Sequence, residues 1–481
     1  MAIQTPDWVK NAIFYQIFPD RFAQGTQQRL PYTIPLEAWS DPPTLQGYKG
    51  GNLWGVAEKL DYLQDLGVNA IYFTPIFQSA SNHRYHTHDY YQIDPILGGN
   101  EAFMVLLEEA HRRDIKVVLD GVFNHTGRGF FFFSDILENG PYSPWVDWFK
   151  IEKWPVSAYN GSFPANYVGW DENRALPEFN HENPQVREYI MKIGEYWLNL
   201  GIDGWRLDVP FEVEVPGFWE EFRDRVKAIN PEAYIVGEVW RDSRPWLDGK
   251  QFDGVMNYLF TAPTIAFTAG DRVVMDLVEG HDYYPYPALD AQGYAQKIES
   301  LLEMYPWEIQ LTQLNLLDSH DTARLLSIAD GDRATVELAT LLLMTFPGAP
   351  SIYYGDEVGL PGRIDPDSRR GFPFEKEWNL EVLDYHKKLI ALRHQYPALR
   401  TGEYKILGMQ GMVYVFARIL GETALIVAIN AGTEKATAAI KLDPAVLKTQ
   451  PSQVLYGDAT VRWEAMQLYL SLPPRQGCIL A

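Results

Sequence analysis

Four short segments of this chain carry residues able to do acid–base chemistry: Asp120-Gly121-Val122-Phe123-Asn124-His125, Gly204-Trp205-Arg206-Leu207-Asp208, Gly237-Glu238-Val239-Trp240 and Asp318-Ser319-His320-Asp321. Each holds a carboxylate at the end of a run that reads as a strand. Arg206 and Asp208 are two apart, so on a strand they share one face, while Trp205, Leu207 and Val209 take the other. A guanidinium beside a carboxylate favours the ionised form, so Asp208 is expected below the usual carboxylate range, as a nucleophile should be. Glu238 follows the apolar Tyr234-Ile235-Val236, where desolvation would keep a carboxyl protonated, as a general acid must be. Two carboxyls in opposed environments are the requirement of glycoside hydrolysis. Taken alone, Arg206 and Asp208 read equally well as a structural ion pair; charged residues at four strand ends together argue against that.

These side chains need elements to hold them. Apolar β-rich runs alternate with helical patterns from Ile13 to Arg393. The predicted strands are Ile13–Phe18, Asn69–Phe77, Lys116–Phe123, Asp203–Val209, Tyr234–Trp240, Gly254–Phe260, Leu311–Leu317 and Ser351–Tyr354. The predicted helices include Leu53–Leu66, Pro184–Leu200, Pro216–Ile229, Ala334–Phe346 and Glu381–Arg393. About eight strand–helix pairs imply a parallel (β/α)8 TIM barrel, whose active site sits at the C-terminal strand ends. Residues 126–181 interrupt the rhythm with an aromatic, Gly- and Pro-rich stretch in which no helix is evident, and loops of that length are usually functional. From about residue 401 the period becomes two, predicting a C-terminal antiparallel β-sandwich. The domain reading is a barrel over 1–125 and 182–400, an excursion domain after strand three over 126–181, and the sandwich over 401–481. Four consecutive phenylalanines, Phe130 to Phe133, cannot all face one core. Trp145 with Trp148, and Tyr283-Tyr284-Pro285-Tyr286, read as packing more readily than as cleft walls.

Composition excludes whole classes. The 481 residues carry 41 Lys and Arg against 63 Asp and Glu, a net charge of −22, which is wrong for a nucleic-acid partner or an anionic membrane surface. One cysteine, Cys478, permits no intrachain disulfide. No run approaches the roughly 18 apolar residues of a spanning helix, and the start shows no signal-peptide pattern, so a cytoplasmic location is expected. Aromatics reach 14%, a surplus that suits stacking of flat, polar-edged ligands as well as packing.

Together the four segments resemble the signature regions of the alpha-amylase family, glycoside hydrolase family 13, in their order and barrel positions. Trp205-Arg206-Leu207-Asp208-Val209 and Leu176-Pro177-Glu178-Phe179-Asn180 are similar to motifs of its cyclomaltodextrinase, neopullulanase and maltogenic amylase subgroup. The resemblance implies that Asp208 is the nucleophile, Glu238 the acid/base and Asp321 the third carboxylate, which stabilises the distorted sugar. Asp120 falls in the first signature region, among the substrate-binding positions. The resemblance also implies that His125 and His320 bond hydroxyls of the sugar at the cleaved bond, that Arg206 orients Asp208, and that Tyr85 forms a platform beneath that sugar. Asp365 and Arg369 match a pair that holds the next sugar outward; a solvated loop ion pair is the competing reading. The implied reaction is a retaining double displacement, with carboxyls about 5–5.5 Å apart, on α-1,4 and α-1,6 bonds of maltooligosaccharides, cyclodextrins, pullulan or branched α-glucans. A glucan transferase would use the same intermediate.

Departures from the pattern carry expectations of their own. The subgroup's N-terminal β domain is expected to be absent, which would open the cleft and leave a homodimer without support in the sequence. The subgroup's Ala-Asn-Glu after Val209 is Pro210-Phe211-Glu212 here. Family calcium positions read Gly25-Thr26-Gln27-Gln28-Arg29 and Gly50-Gly51-Asn52, and Glu212 replaces the histidine that would accompany Asn124. No cofactor, calcium included, is therefore expected to be required. Two rivals are weaker. A metal-dependent amidohydrolase could use His86-Thr87-His88 with His125 and His320, and a non-catalytic sugar-binding relative would be expected to lack Asp208 or Glu238.

Overall fold

In a computed structural model, the strand–helix alternation forms eight parallel barrel strands. The structure describes residues 3–27, 30, 33–280, 286–443 and 445–481. The barrel strands are β1 (Phe14–Ile17), β2 (Ala70–Phe73), β3 (Lys116–Gly121), β4 (Gly204–Leu207), β5 (Tyr234–Gly237), β6 (Gly254–Val255), β7 (Leu314–Asn315) and β8 (Ala349–Tyr353). Their order is β6-β5-β4-β3-β2-β1-β8-β7, and a parallel bridge from Met256 to Leu314 joins the two ends and closes the ring. Both faces of these strands are buried, one by the barrel interior and one by helices, so the sequence shows apolar runs rather than alternation. Register sets the site: Asp120 pairs with Arg206, Arg206 with Val236, and Leu207 with Gly237. Continuing that register brings Asp208 level with Glu238.

Local chemistry explains the helix limits. Helix Pro184–Leu200 has the predicted span: the Asn183 side chain caps it by accepting from Gln185 N, Pro184 occupies the first turn, and Gly201 (φ 108°) ends it in left-handed backbone. The predicted helix Leu53–Leu66 is two helices, Leu53–Glu58 and Leu60–Leu66, meeting at Lys59. The predicted strand Gly254–Phe260 is a larger correction. Only Gly254–Val255 is strand, and Tyr258–Thr268 is a helix with Pro263 inside it. Nine residues of that helix are buried, so it shows no polar face to reveal its period. The strand predicted over Leu311–Leu317 shortens to β7, after a helix at Trp307–Gln310.

The excursion also needs correcting, because it contains a helix, Phe131–Asn139. Helical geometry divides the four phenylalanines. Phe130 and Phe133 are buried, Phe131 is exposed, and Phe132 stacks on Trp145 at 3.7 Å. Trp148 is buried against Phe132 and Tyr189, so this tryptophan pair packs the excursion. Of the tyrosine cluster, residues 283–285 lie outside the described residues, and Tyr286 is buried.

The C-terminal region forms a five-stranded and a three-stranded antiparallel sheet. In strand Val413–Leu420, residues Val413, Val415 and Ala417 face Ile440, Leu468 and Leu470 in the core between the sheets. Tyr414 and Phe416, on the other face, join the barrel's core. Among the described residues, no helix is long and apolar enough to cross a membrane.

Candidate active site

At the C-terminal strand ends, one buried guanidinium organises three carboxylates. Arg206 Nη1 donates to Asp120 Oδ1 and Oδ2 (2.9 and 3.0 Å) and to Asp208 Oδ1 (2.8 Å). Its Nη2 lies 2.8 Å from Glu238 Oε2, an ion pair off the hydrogen-bond axis. Asp120 also accepts from the hydroxyls of Tyr72 (3.3 Å) and Tyr85 (3.1 Å). Glu238 accepts from Val209 N (3.2 Å) and from the Trp240 indole (3.0 Å). Glu238 thus sits among three donors, which corrects the picture of a carboxyl alone at an apolar strand end.

The expected lowering of Asp208 fails as well. Burial pushes its carboxyl well above the usual range; Arg206 pulls the other way, but the charges of Glu238 and Asp120 add to the rise. Burial also pushes Asp120 up to about 6, against the pull of Arg206 and with the charge of Glu238. Burial is the largest cause, and one positive charge cannot offset it together with the neighbouring negative ones. Sequence spacing showed the Arg206–Asp208 pair but not the other two claimants.

The histidines are held neutral. Burial, aided by the charges of Arg369 and Arg206, drives His320 well below its usual value. Gln16 Nε2 meets His320 Nδ1 at 2.7 Å, so Nδ1 accepts and the ring proton sits on Nε2. That nitrogen faces the Tyr85 hydroxyl and Asp321 Oδ2 (3.1 Å). Burial pushes His125 down to about 3. Asn124 Nδ2 lies 3.4 Å from its Nδ1, which leaves Nε2–H buried without a protein partner. Arg369 bonds His320 O (2.9 Å), pairs with Asp365 (3.1 Å) and lies 3.6 Å from Asp321.

Tyr85, His125, Asp208, Glu238, Asp321, Asp365 and Arg369 all line one cleft of about 1150 Å³. Asp120, Arg206 and His320 lie fully buried beneath it. Sequence reasoning missed Gln16, Trp170 and Trp240. Trp240 had a usable signal, since it is two residues from Glu238 and shares its face; it stacks on Tyr258 at 3.7 Å. Trp170 lies in the irregular excursion, where spacing carries no information.

Among the described residues, no group of three or more His, Cys, Asp or Glu is placed to hold a metal ion, so His86 and His88 do not complete a set with His125 and His320. At the calcium-loop positions the side chains bond to protein groups. Asn52 Oδ1 caps a helix by accepting from Gly55 N (2.9 Å), and Thr26 N and Oγ1 donate to Glu58 (2.9 and 2.6 Å). Buried Asp20 is taken up by Arg21, Lys49 N and Gly50 N.

Comparison with known proteins shows the family. A family model described as alpha amylase, catalytic domain, matches residues 16–371, and one for the alpha-amylase C-terminal domain matches 402–480. The chain belongs to the alpha-amylase family. Among relatives of this glycoside hydrolase family, the debranching enzyme of Nostoc punctiforme is 70% identical, with a TM-score of 0.94 and 100% of each chain covered. Neopullulanase 2 of Thermoactinomyces vulgaris is 42% identical over 99% of this chain and 78% of its own length. The intracellular maltogenic amylase of Bacillus subtilis is 39% identical over 90% of this chain and 70% of its own.

Proposed function

We propose that this alpha-amylase-family enzyme hydrolyses α-1,4- and α-1,6-glucosidic bonds of maltooligosaccharides and branched α-glucans with retention of configuration, and that it works in the cytoplasm. The observation that carries the reading is Arg206 holding both Asp208 and Glu238 at 2.8 Å at the floor of one cleft. A shared guanidinium favours the short carboxyl spacing of retaining enzymes, about 5–5.5 Å. The names of the debranching enzyme and neopullulanase support an α-glucan substrate with branch linkages. The name of the intracellular maltogenic amylase supports the location.

The reaction needs one of these carboxyls ionised and one protonated. Asp208, ionised, attacks the anomeric carbon while Glu238 gives its proton to the leaving oxygen. The Glu238 carboxylate then takes a proton from water, whose oxygen displaces Asp208 and restores both groups. Asp321, next to His320 and Arg369, stabilises the positive charge that develops on the sugar. Nε2–H of His125, at the cleft wall, is a donor for a sugar hydroxyl, while Nε2–H of His320 is turned to Tyr85 and Asp321.

Cyclodextrin, pullulan and a branched maltooligosaccharide, with products sized by chromatography, test the bond range. Cleavage of α-1,4 bonds alone would remove debranching from the reading. Products longer than the substrate would show the intermediate passing to sugar. Asp208→Asn and Glu238→Gln should each lower turnover by roughly 10³-fold or more with the fold intact.

A further inference from the structure

Where the excursion reaches the cleft, Trp170, Asp171 and Asn173 line its wall. Asp171 and Glu172 both take left-handed backbone, with φ of 48° and 54°. Two such residues in succession, neither a glycine, are a conformational cost that persists only where the surroundings over-determine it. They do so here. Trp170 N donates to Leu176 O (3.0 Å), Glu172 N to Gly169 O (3.1 Å) and Asn173 N to Trp170 O (2.8 Å). At Gly169 a Cβ would come within 2.7 Å of Asn173 O, so the turn closes only on glycine. The base of the turn is stitched to the segment that follows β3, through Thr126 N to Pro177 O and Arg128 N to Ala175 O, both 3.0 Å.

The strained turn presents an indole. The Trp170 ring lies 5.3 Å from the His125 ring at an interplanar angle of 25°. Beside it are the buried, unpartnered Nε2 of His125 and the exposed carboxylate of Asp171. An aromatic face next to a donor and an acceptor is what recognises a pyranose, whose C–H face stacks while its hydroxyls bond. The half-buried indole lies outward of the buried imidazole, so a sugar resting on it is one unit removed from the sugar that His125 contacts.

We propose that the Trp170–Asp171 turn is a specificity-determining wall: the indole packs on the glucose unit adjacent to the cleaved one, and Asp171 accepts a hydroxyl from it. This rests on the hydrolase reading above. Neither side chain takes part in bond breaking; both select for chain beyond the reacting sugar.

The test compares a maltooligosaccharide with an aryl α-glucoside, which fills the cleaved position but not its sugar neighbour. Trp170→Ala should raise KM for the oligosaccharide three- to tenfold more than for the glucoside, the size of one aromatic contact. Trp170→Phe should recover most of that difference. Asp171→Gly relieves the left-handed strain while deleting the carboxylate, so it should raise the melting temperature and still raise KM for the oligosaccharide. Equal loss on both substrates, or a stability gain with unchanged KM, would show a purely structural turn and overturn the proposal. A wild-type enzyme that cleaves neither substrate overturns the hydrolase reading itself, which is a separate outcome.

Discussion

Arg206 is the residue on which the site turns, because its single charge is divided among Asp120, Asp208 and Glu238. That division makes a prediction about pH. Asp208 must be ionised to attack, and its carboxyl is raised by burial and by the charges of Glu238 and Asp120. Asp120→Asn removes one of those negative charges and one claimant on Arg206 Nη1, and both changes lower the Asp208 pKa. The acid limb of kcat/KM should therefore move to lower pH. The variant's pH profile measures this directly; an unmoved limb, or one moved upward, would refute the shared-charge account. At this scale the sequence was informative about identity and silent about partnership. Asp120, Asp208, Glu238 and Asp321 were legible as strand-end carboxylates. That Asp120 and Glu238 share the guanidinium depends on strand register, which no local spacing encodes. Val209 is similar: its left-handed backbone (φ 35°), uncommon for a β-branched residue, accompanies an N–H directed at Glu238.

Helices with one polar face were legible, and a helix without one read as strand. Helix Pro184–Leu200 declared itself by cap, proline and terminal glycine, whereas helix Tyr258–Thr268 read as strand because almost nothing on it is polar. Helix Phe131–Asn139 was hidden by its phenylalanine run. The joint between the barrel and the C-terminal sheet was also invisible, since its key is a pair of buried arginines that bond carbonyls instead of carboxylates. Arg418 donates to Thr345 O, Leu399 O (2.7 Å) and Gly402 O (2.9 Å). Arg393 donates to Met344 O (2.8 Å), Phe346 O (3.1 Å) and the same Leu399 O (2.9 Å). Several of these acceptors lie at the C-terminus of helix Arg333–Thr345, where cations complement the helix dipole. Arg418→Met keeps much of the volume but strands buried carbonyls, so unfolding free energy should fall by about 2–4 kcal/mol in denaturant titration. A loss below about 0.5 kcal/mol, the size of an ordinary surface change, would show that the joint rests on apolar packing alone.

For the whole molecule, the acidic excess and the aromatic surplus have different meanings. The charge of −22 excludes polyanions but does not attract a neutral glucan. The aromatics pack first, as Phe130, Phe133, Trp145 and Trp148 do, and a few, Tyr85, Trp170 and Trp240, line the cleft. The same balance decides whether so large a barrel needs a metal to hold its loops. A calcium ion requires several oxygen ligands that are not otherwise engaged. In the loop after β1, Thr26 is bound by Glu58, Asn52 caps a helix, and Asp20 is saturated by Arg21 and two backbone amides. Glu212 stands where the family resemblance calls for a histidine beside Asn124. Bonds between protein groups thus hold this loop, and turnover and melting temperature should both survive exhaustive dialysis against a chelator. Loss of either one, restored by added calcium, would show that these loops order around an ion after all.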